Sequence, residues 1–242
     1  MRKALACGRA IVATAFALGC LASAHAQWSG KGQLGFVEAR GNTDTSALNA
    51  GIDFKDIDGA WTHTFGASAL RADTSGVTTA DRYEFHEQSN YAISPQSYLL
   101  GGAHFEHDDF SSFAHQGAVE AGYGYKFIDA SDTKLAGEIG AGYRRSEIRA
   151  SGQNEGDAIG RLAMNFEHSF NAATKVTDKL AVESGKDDTF TTNDLGLQVK
   201  MSDKLALGVD YTVRHHSIVV EAPGTVIYKT DQLTTVNLVY SF

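Results

Sequence analysis

The last stretch of the chain, Thr234 to Phe242, alternates between apolar and polar side chains. One face of an extended strand would carry Val236, Leu238, Tyr240 and Phe242, and the opposite face is more polar. A strand with one lipid-compatible face and an aromatic end is typical of the closing strand of a transmembrane β-barrel, where it pairs with the first strand. The pattern therefore predicts that the chain upstream consists of hairpins.

The same alternation recurs along the chain upstream. In the segment 119–128, valine, alanine and aromatic residues share one face, and glycines, Glu120 and Lys126 share the other. The pattern predicts an all-β fold, an antiparallel transmembrane up-and-down β-barrel of about twelve strands, with the apolar face toward lipid. The predicted strands are 31–40, 45–56, 60–72, 80–94, 98–108, 115–128, 134–149, 157–170, 174–185, 191–201, 204–216 and 229–242. Because Asp178 interrupts its apolar positions, the ninth is expected to be short or distorted.

The first 26 residues have the features of a secretory signal peptide. A basic start precedes an apolar run from Ile11 to Ala22, and Ala24-His25-Ala26 supplies a small-residue cleavage site. The predicted division is a signal peptide at 1–26 and an outer-membrane β-barrel at 27–242. An alternative is a lipoprotein acylated at Cys20. Both cysteines lie within residues 1–26, so the predicted mature chain has no thiol for a disulfide or a metal site.

Charge and composition exclude some classes of protein. The chain has a net charge of −8, and loss of three basic residues and no acidic ones with the signal peptide makes it −11. A nucleic-acid partner is not expected, because phosphate binding needs a basic surface. The 25 glycines and two prolines suit many short strands. A soluble periplasmic β-sandwich could share this composition and remains an alternative.

The segments between strands are predicted to alternate in length. Tight turns are expected at 95–97, 129–133, 171–173 and 202–203, and longer polar loops at 73–79, 109–114, 150–156, 186–190 and 217–228. This alternation is typical of outer-membrane barrels, with both termini on the short-turn, periplasmic side.

Several local patterns, in order, resemble the family of salt-induced outer-membrane proteins. They are Gly35-Phe36-Val37, Gly41-Asn42-Thr43-Asp44-Thr45, Trp61-Thr62-His63, Gly122-Tyr123-Gly124-Tyr125, Gly140 to Arg145, and Val239-Tyr240-Ser241-Phe242. The resemblance covers almost the whole predicted mature chain. It implies the barrel fold, the cell outer membrane and a link to salt or osmotic stress, and it supplies no catalytic residues.

Two groups of residues invite a functional reading beside a structural one. Gly41 to Thr45 suits a tight turn better than a recognition loop. Charges of both signs on the predicted lumen face favour a salt-bridge network over a charge-selective lining. They are Asp53, Lys55, Glu84, His86, Glu120, Lys126, Glu138, Arg144, Arg161, Glu167, Lys200, Asp210 and Arg214.

Metal binding is not predicted. His104 and His107 are three residues apart, which puts them on opposite faces of a strand, so they do not converge. We interpret both histidines, together with Asp108, Asp109 and His115, as solvated residues at the loop rim. A divalent cation among the loop acids remains an alternative.

Enzyme activity is the second functional hypothesis, and it rests on His215 and Ser217. On a strand these share a face near the outer rim, as in the histidine-x-serine arrangement of outer-membrane phospholipases, which they resemble. The sequence offers no orienting partner or glycine-serine context, so a non-enzymatic barrel is preferred.

The functional hypothesis is a narrow pore or a structural envelope protein, without catalytic residues, cofactor or metal. The expected partners are outer-membrane lipid, small ions or solutes, and the barrel-assembly machinery, which would recognise the C-terminal strand ending at Phe242.

Overall fold

The computed structural model describes residues 28–39, 45–220 and 227–242. The predicted signal peptide lies outside these residues. The described chain forms twelve antiparallel strands in one sheet. They are β1 (Ser29–Ala39), β2 (Thr45–Asp58), β3 (Trp61–Thr74), β4 (Val77–Ala92), β5 (Ser97–Asp108), β6 (Phe113–Asp129), β7 (Thr133–Ile148), β8 (Asn154–Ser169), β9 (Thr174–Ser184), β10 (Thr189–Lys200), β11 (Leu205–His216) and β12 (Thr230–Ser241).

The sheet closes on itself, since each strand pairs with its neighbours in sequence and β12 pairs with β1. At the seam Lys31 lies opposite Ser241, and the backbones of Gly30 and Phe242 exchange hydrogen bonds of 2.9 and 3.0 Å. The prediction of an antiparallel barrel with a C-terminal closing strand is confirmed. A sandwich of two packed sheets is excluded, because there is one closed sheet.

The outer face of the barrel is apolar, as the alternation predicted. Val119, Ile139 and Leu162 are each exposed by 57% or more, on three adjacent strands. Aromatic side chains, including Trp61, Phe127, Phe170, Tyr240 and Phe242, are exposed where the strands end in turns. An apolar belt bordered by aromatic residues is the surface that a barrel presents to lipid.

The inner face carries the polar and charged side chains. Glycines make room for the larger ones. A Cβ on Gly124 would lie 2.1 Å from the ring of Tyr98, and a Cβ on Gly35 would lie 2.4 Å from the amide oxygen of Asn237. Among the described polar residues, Asn237 is the most deeply buried, at 1% exposure. On the lumen face of β6 and β7, Gly124 thus makes room for a side chain. A Cβ on Gly122, Gly140 or Gly142 would instead lie 2.5, 2.6 or 2.4 Å from a backbone carbonyl oxygen of the neighbouring strand, so these glycines allow the two backbones to approach closely.

The two ends of the barrel differ in their connections. One end, here the turn end, holds 59–60, 93–96, 130–132, 170–173 and 201–204, together with residues 28 and 242. The opposite end, the loop end, holds 75–76, 109–112, 149–153 and 185–188, together with 217–220 and 227–229, the described parts of the β11–β12 connection. The four loop-end connections that are described throughout have two to five residues, close to the two to four of the turns, so the predicted contrast in length is weaker than expected. The predicted turn at 41–45 lies mostly outside the described residues.

One local expectation is wrong, and another is confirmed in part. Residues 73–79 do not form a long loop, because β3 and β4 meet at a two-residue turn in which Ser75 and Gly76 both have positive φ, 51° and 78°. Such turns match the twist of the flanking strands. Strand β9 is short, as expected, with 11 residues, but the distortion is absent, since it pairs in continuous register with β10 and β8. Within the described chain no helix is long and apolar enough to span a membrane.

Candidate functional site in the barrel lumen

A salt bridge crosses the lumen near the loop end. Arg214 on β11 donates to Glu84 on β4 over 2.5 Å and to Glu106 on β5. Strand β5 lies six strands from β11 in either direction around the ring, so the arginine joins opposite walls. Arg214 is only 9% exposed. These three side chains are called the cross-lumen bridge.

Neighbouring side chains hold Glu84, the β4 carboxylate of the cross-lumen bridge, in position. Glu84 also accepts a hydrogen bond from Ser68 at 3.2 Å, and the Arg82 guanidinium lies 3.3 Å from it. Arg82 in turn lies 3.9 Å from Asp108. A buried charge is stable only when it is paired and hydrogen-bonded. The bridge therefore stands as a supported network rather than as one isolated contact.

An aromatic layer lies beside the cross-lumen bridge. The Phe190 ring lies 5.0 Å from the Arg214 guanidinium carbon and stacks on His216, with ring centroids 4.3 Å apart. Phe113 also packs against His216, with ring centroids 5.4 Å apart. Both phenylalanines are buried. Aromatic contacts of this kind exclude water and strengthen the nearby charge interactions.

Asp188, in the loop between β9 and β10, ties the loop end together. Its carboxylate accepts hydrogen bonds from Ser217 at 3.0 Å and from the Ile218 backbone at 3.2 Å, and it lies 2.7 Å from Nδ1 of His216. Burial alone would raise the pKa of Asp188, but the hydrogen bond and charge of His216, with the Ile218 and Ser217 bonds, hold that pKa below its ordinary value. Asp188 thus anchors the beginning of the 217–229 segment.

The 217–229 segment also reaches across to the loop between β5 and β6. The Val220 backbone N–H donates to Ser112 Oγ at 2.9 Å, and this hydroxyl donates to the Val220 carbonyl at 3.3 Å. Ser112 is 2% exposed. The contacts of Asp188 and Ser112 together tie residues 217–220 to the loops on two other sides of the loop end.

The middle of the lumen contains a second ion network, centred on Arg161 of β8. Its guanidinium lies 2.8 Å from Glu138 on β7 and 3.0 Å from Glu120 on β6. Glu138 also accepts hydrogen bonds from Tyr98 at 2.8 Å and Gln88 at 3.0 Å. These residues form the mid-lumen network, which joins strands β4 to β8.

Arg144 and Glu183 extend the charged lining toward the loop end. Arg144 donates to the Asp188 carbonyl at 2.8 Å, and Glu183 lies 3.7 Å from His104. The nearest Arg144 and Glu183 atoms are 3.9 Å apart. This is too long for a direct hydrogen bond but within the reach of a bridging water.

A cavity of about 330 Å³ opens at the turn end. Its walls come from β1, β8, β9, β10 and β12 and from the turn 170–173. They include Lys31, Glu167, Asn171, Lys175, Gln198, Lys200 and Ser241. This cavity is called the vestibule. The vestibule thus opens the lumen to solvent at the turn end.

The prediction that the charges of the polar face pair with one another is confirmed in part, because Arg161, Arg214 and His86 meet predicted carboxylates, whereas Lys55, Lys200 and Asp210 make no ion pair within the described chain. Arg161, Arg144 and Arg214 each meet carboxylates, and Lys31 lies 3.3 Å from Asp53. The sequence interpretation missed Glu106, Glu183 and Asp188 as partners. The alternation placed Glu106 on the same face as His104, so that signal was present, whereas Asp188 lies in a loop where no periodicity applies.

His104 and His107 lie on opposite faces, as predicted. His104 approaches Glu183 inside the barrel, whereas His107 stacks on Tyr83 outside, with centroids 4.7 Å apart, and contacts His115. Asp109, at the rim, pairs with Arg149 at 3.4 Å. In the described parts of the chain no three histidine, cysteine or acidic side chains are grouped to hold a metal ion.

His215 and Ser217 do not come together. His215 bonds to Thr230 at 2.8 Å, whereas Ser217 donates to Asp188 and accepts from the Thr189 backbone at 2.8 Å. The expectation that they share a face is wrong, because Ser217 lies beyond the end of β11 and is held by the β9–β10 loop. Asp188 binds His216 and Ser217 through separate oxygens, so no imidazole stands between the serine and the carboxylate as a catalytic triad requires.

Closed topology, an apolar exterior and a charged interior define the class of protein as a β-barrel of the membrane-spanning type. The chain belongs to the family described as "Protein of unknown function, DUF481", whose model matches residues 32–242. No functionally curated protein matches the sequence.

Solved structures of similar fold include porins and an autotransporter domain. The NanC porin is 12% identical, with 88% of this chain and 97% of that chain covered and a TM-score of 0.49. The KdgM porin is 13% identical, with 88% and 99% covered and a TM-score of 0.48. The translocator domain of the autotransporter NalP from Neisseria meningitidis is 10% identical, with 92% and 89% covered and a TM-score of 0.47.

Proposed function

We propose that this protein is a non-enzymatic outer-membrane barrel with a narrow lumen that passes small ions or solutes only when the cross-lumen bridge opens. The observation that carries the proposal is the bridge itself. Arg214 joins β11 to β4 and β5, and thereby occupies the lumen where its two walls face each other. Barrels of about eight strands are filled by side chains and those of sixteen or more hold a channel, so twelve strands suit a lumen that side chains can close.

The charged lining supports a gate that can open. A purely structural barrel of this size could be filled with apolar side chains, which are no less stabilising than buried ion pairs. Here Arg214 and Arg161 bind carboxylates instead. Once separated, such groups can be hydrated and can line a water-filled path.

The proposed location is the cell outer membrane, and the apolar exterior of the barrel supports it. Export would use the signal peptide at 1–26, and insertion would use recognition of β12 and Phe242 by the barrel-assembly machinery. The link to salt or osmotic stress comes from the family resemblance alone and stays a prediction.

Single-channel recording in a planar bilayer tests the proposal. The chain from residue 27, folded in detergent, is compared with the triple variant Glu84→Gln, Glu106→Gln, Arg214→Gln, which breaks the ion pairs without leaving a buried charge alone. Arg71→Gln is the matched control, because Arg71 pairs with Asp73 and Asp81 at the loop end but its side chain is 58% exposed.

The unaltered protein and the Arg71→Gln control are expected to stay closed for most of the recording, with brief small openings. The triple variant is expected to show longer and larger steps. Steady, open conductance of the unaltered protein would contradict closure by the bridge. Equal, silent recordings from all three inserted proteins would contradict the pore and leave a structural barrel.

A further inference from the structure

We propose that the vestibule at the turn end binds a small soluble anion bearing carboxylate or phosphate groups. The inference goes beyond the proposed function and does not require conduction, because it concerns a cavity already open to the compartment on the turn side. Its volume of about 330 Å³ is within the range of small-molecule sites, about 300 to 1,000 Å³.

Three lysines on separate strands surround this cavity. Lys31 is on β1, Lys175 on β9 and Lys200 on β10. Lys31 pairs with Asp53 at 3.3 Å and Lys175 with Glu167 at 3.1 Å. Lys200 makes no ion pair within the described chain. The vestibule therefore has one lysine in excess of its acidic partners.

Those partners are shared or exposed, so they neutralise the lysines incompletely. Asp53 also lies 3.6 Å from His86. The side chains of Lys175 and Glu167 are both 37% exposed, and exposed pairs of this kind contribute about 1 kcal/mol or less. An anion entering the vestibule can attract Lys175 and Lys200 at little cost, because the existing pair is weak.

Neutral donors complete the lining. The Asn171 carbonyl oxygen accepts from the Ala173 and Thr174 backbone at 2.8 and 2.9 Å, which leaves its side-chain NH₂ free to donate to a ligand. Gln198 and Ser241 add an amide and a hydroxyl. Amide and hydroxyl donors beside flexible ammonium groups suit the oxygens of a carboxylate or a phosphate.

The charged side chains that line the vestibule are three lysines and one glutamate, whereas the whole chain has a net charge of −8. The strand register places two further lysines, Lys126 and Lys134, on the lumen face at the turn end, where Lys126 pairs with Asp129 at 3.2 Å. A lining with more lysines than carboxylates attracts anions into the vestibule. The lysines lie on the inner face, away from the lipid-facing surface, which favours a soluble anion over a lipid headgroup.

Citrate titration followed by NMR tests the proposal directly. The chain from residue 27 is folded in an uncharged maltoside detergent, and the side-chain amide signals of Gln198 and Asn171 are followed, with choline as the cationic control. Variants are Lys200→Gln, Glu167→Gln and Lys204→Gln. Lys204 is the matched control, because it lies at the same end but over the Tyr240 ring, 6.0 Å from its centroid on the outer face.

Citrate is expected to shift both amide signals to saturation, whereas choline is not. Lys200→Gln should weaken binding about 1.4- to 5-fold, because exposed pairs are worth about 0.2 to 1 kcal/mol. Glu167→Gln should tighten binding, and Lys204→Gln should leave it unchanged. No saturable shift at these amides, or equal weakening by Lys200→Gln and Lys204→Gln, would overturn the proposal. Because binding is measured at equilibrium, a failed conductance result would not affect this outcome.

Discussion

Arg214 on β11 and Glu84 on β4 meet at 2.5 Å across the lumen, although 130 positions separate them in the sequence. The contact exists only because the barrel closes and brings distant strands face to face. Arg214 thus links two opposite walls of the barrel, and the proposed closure of the lumen depends on this link.

Arg161→Met should destabilise the barrel by about 3–5 kcal/mol, because it leaves Glu120 and Glu138 buried without their cation. Unfolding in urea, followed by tryptophan fluorescence, measures the change. Lys175→Met is the control, since its exposed pair with Glu167 is worth about 1 kcal/mol or less. Equal destabilisation by both changes would contradict the structural importance of the mid-lumen network.

Gly124→Ala should destabilise the barrel by about 1–3 kcal/mol, because the added Cβ would lie 2.1 Å from Tyr98 and must displace its ring from Glu138. Gly101→Ala is the matched control, since the nearest atom to its Cβ is 3.9 Å away. The midpoint of urea unfolding distinguishes the two. A Gly124→Ala barrel as stable as the Gly101→Ala barrel would show that Tyr98 does not occupy this position.

Lowering the pH should protonate Asp188 and thereby weaken its contacts with residues 217 and 218 at the loop end. Because its pKa is lowered by folding, its contribution to stability is complete above the ordinary value near 3.8 and is lost as the pH falls through the lower, folded value. Hydrogen exchange of the Ile218 amide, compared above and below that window, measures the loosening. Asp188→Asn should give fast exchange at all pH values, and an unchanged acid response in this variant would contradict the assignment to Asp188.

Ser217→Ala should affect the loop end and not lipid chemistry. The change removes the hydroxyl that bonds to Asp188 and Thr189, so faster exchange of the Thr189 amide is expected. Release of fatty acid from a fluorescent phospholipid should be absent in the unaltered protein. Hydrolysis by the unaltered barrel that Ser217→Ala abolishes would restore the enzyme hypothesis.

The strands and their faces could be predicted because a period of two is a local property. Each strand needs only its own residues to show which side chains share a face, as with Val119 and Glu120 on β6. The turn at Ser75-Gly76 could also have been found, because this dipeptide is a turn signal, but the polar residues around it favoured a longer loop.

The partners across the lumen could not be predicted from the sequence. Which carboxylate Arg214 meets depends on the number of strands and on their stagger around the barrel, and neither is visible in one strand. The alternation around Glu106 predicts that it faces the lumen, but nothing in the sequence identifies its partner. The sequence says less about Asp188, since a loop aspartate serves equally as a turn residue or a solvated charge.

Side-specific labelling of a vestibule cysteine tests most directly whether the lumen is open at the turn end and closed at the loop end. The chain from residue 27 has no cysteine, so Gln198→Cys gives one thiol in the vestibule. A second protein carrying Ser151→Cys, in the exposed loop 149–153, reports orientation in vesicles. A charged, membrane-impermeant thiol reagent is added from one side at a time.

The Gln198→Cys thiol is expected to react from the turn side and to be protected from the loop side. With the cross-lumen bridge removed by the triple glutamine variant, it should react from both sides. Equal reaction from both sides in the barrel with the bridge intact would contradict closure of the lumen by Arg214, Glu84 and Glu106.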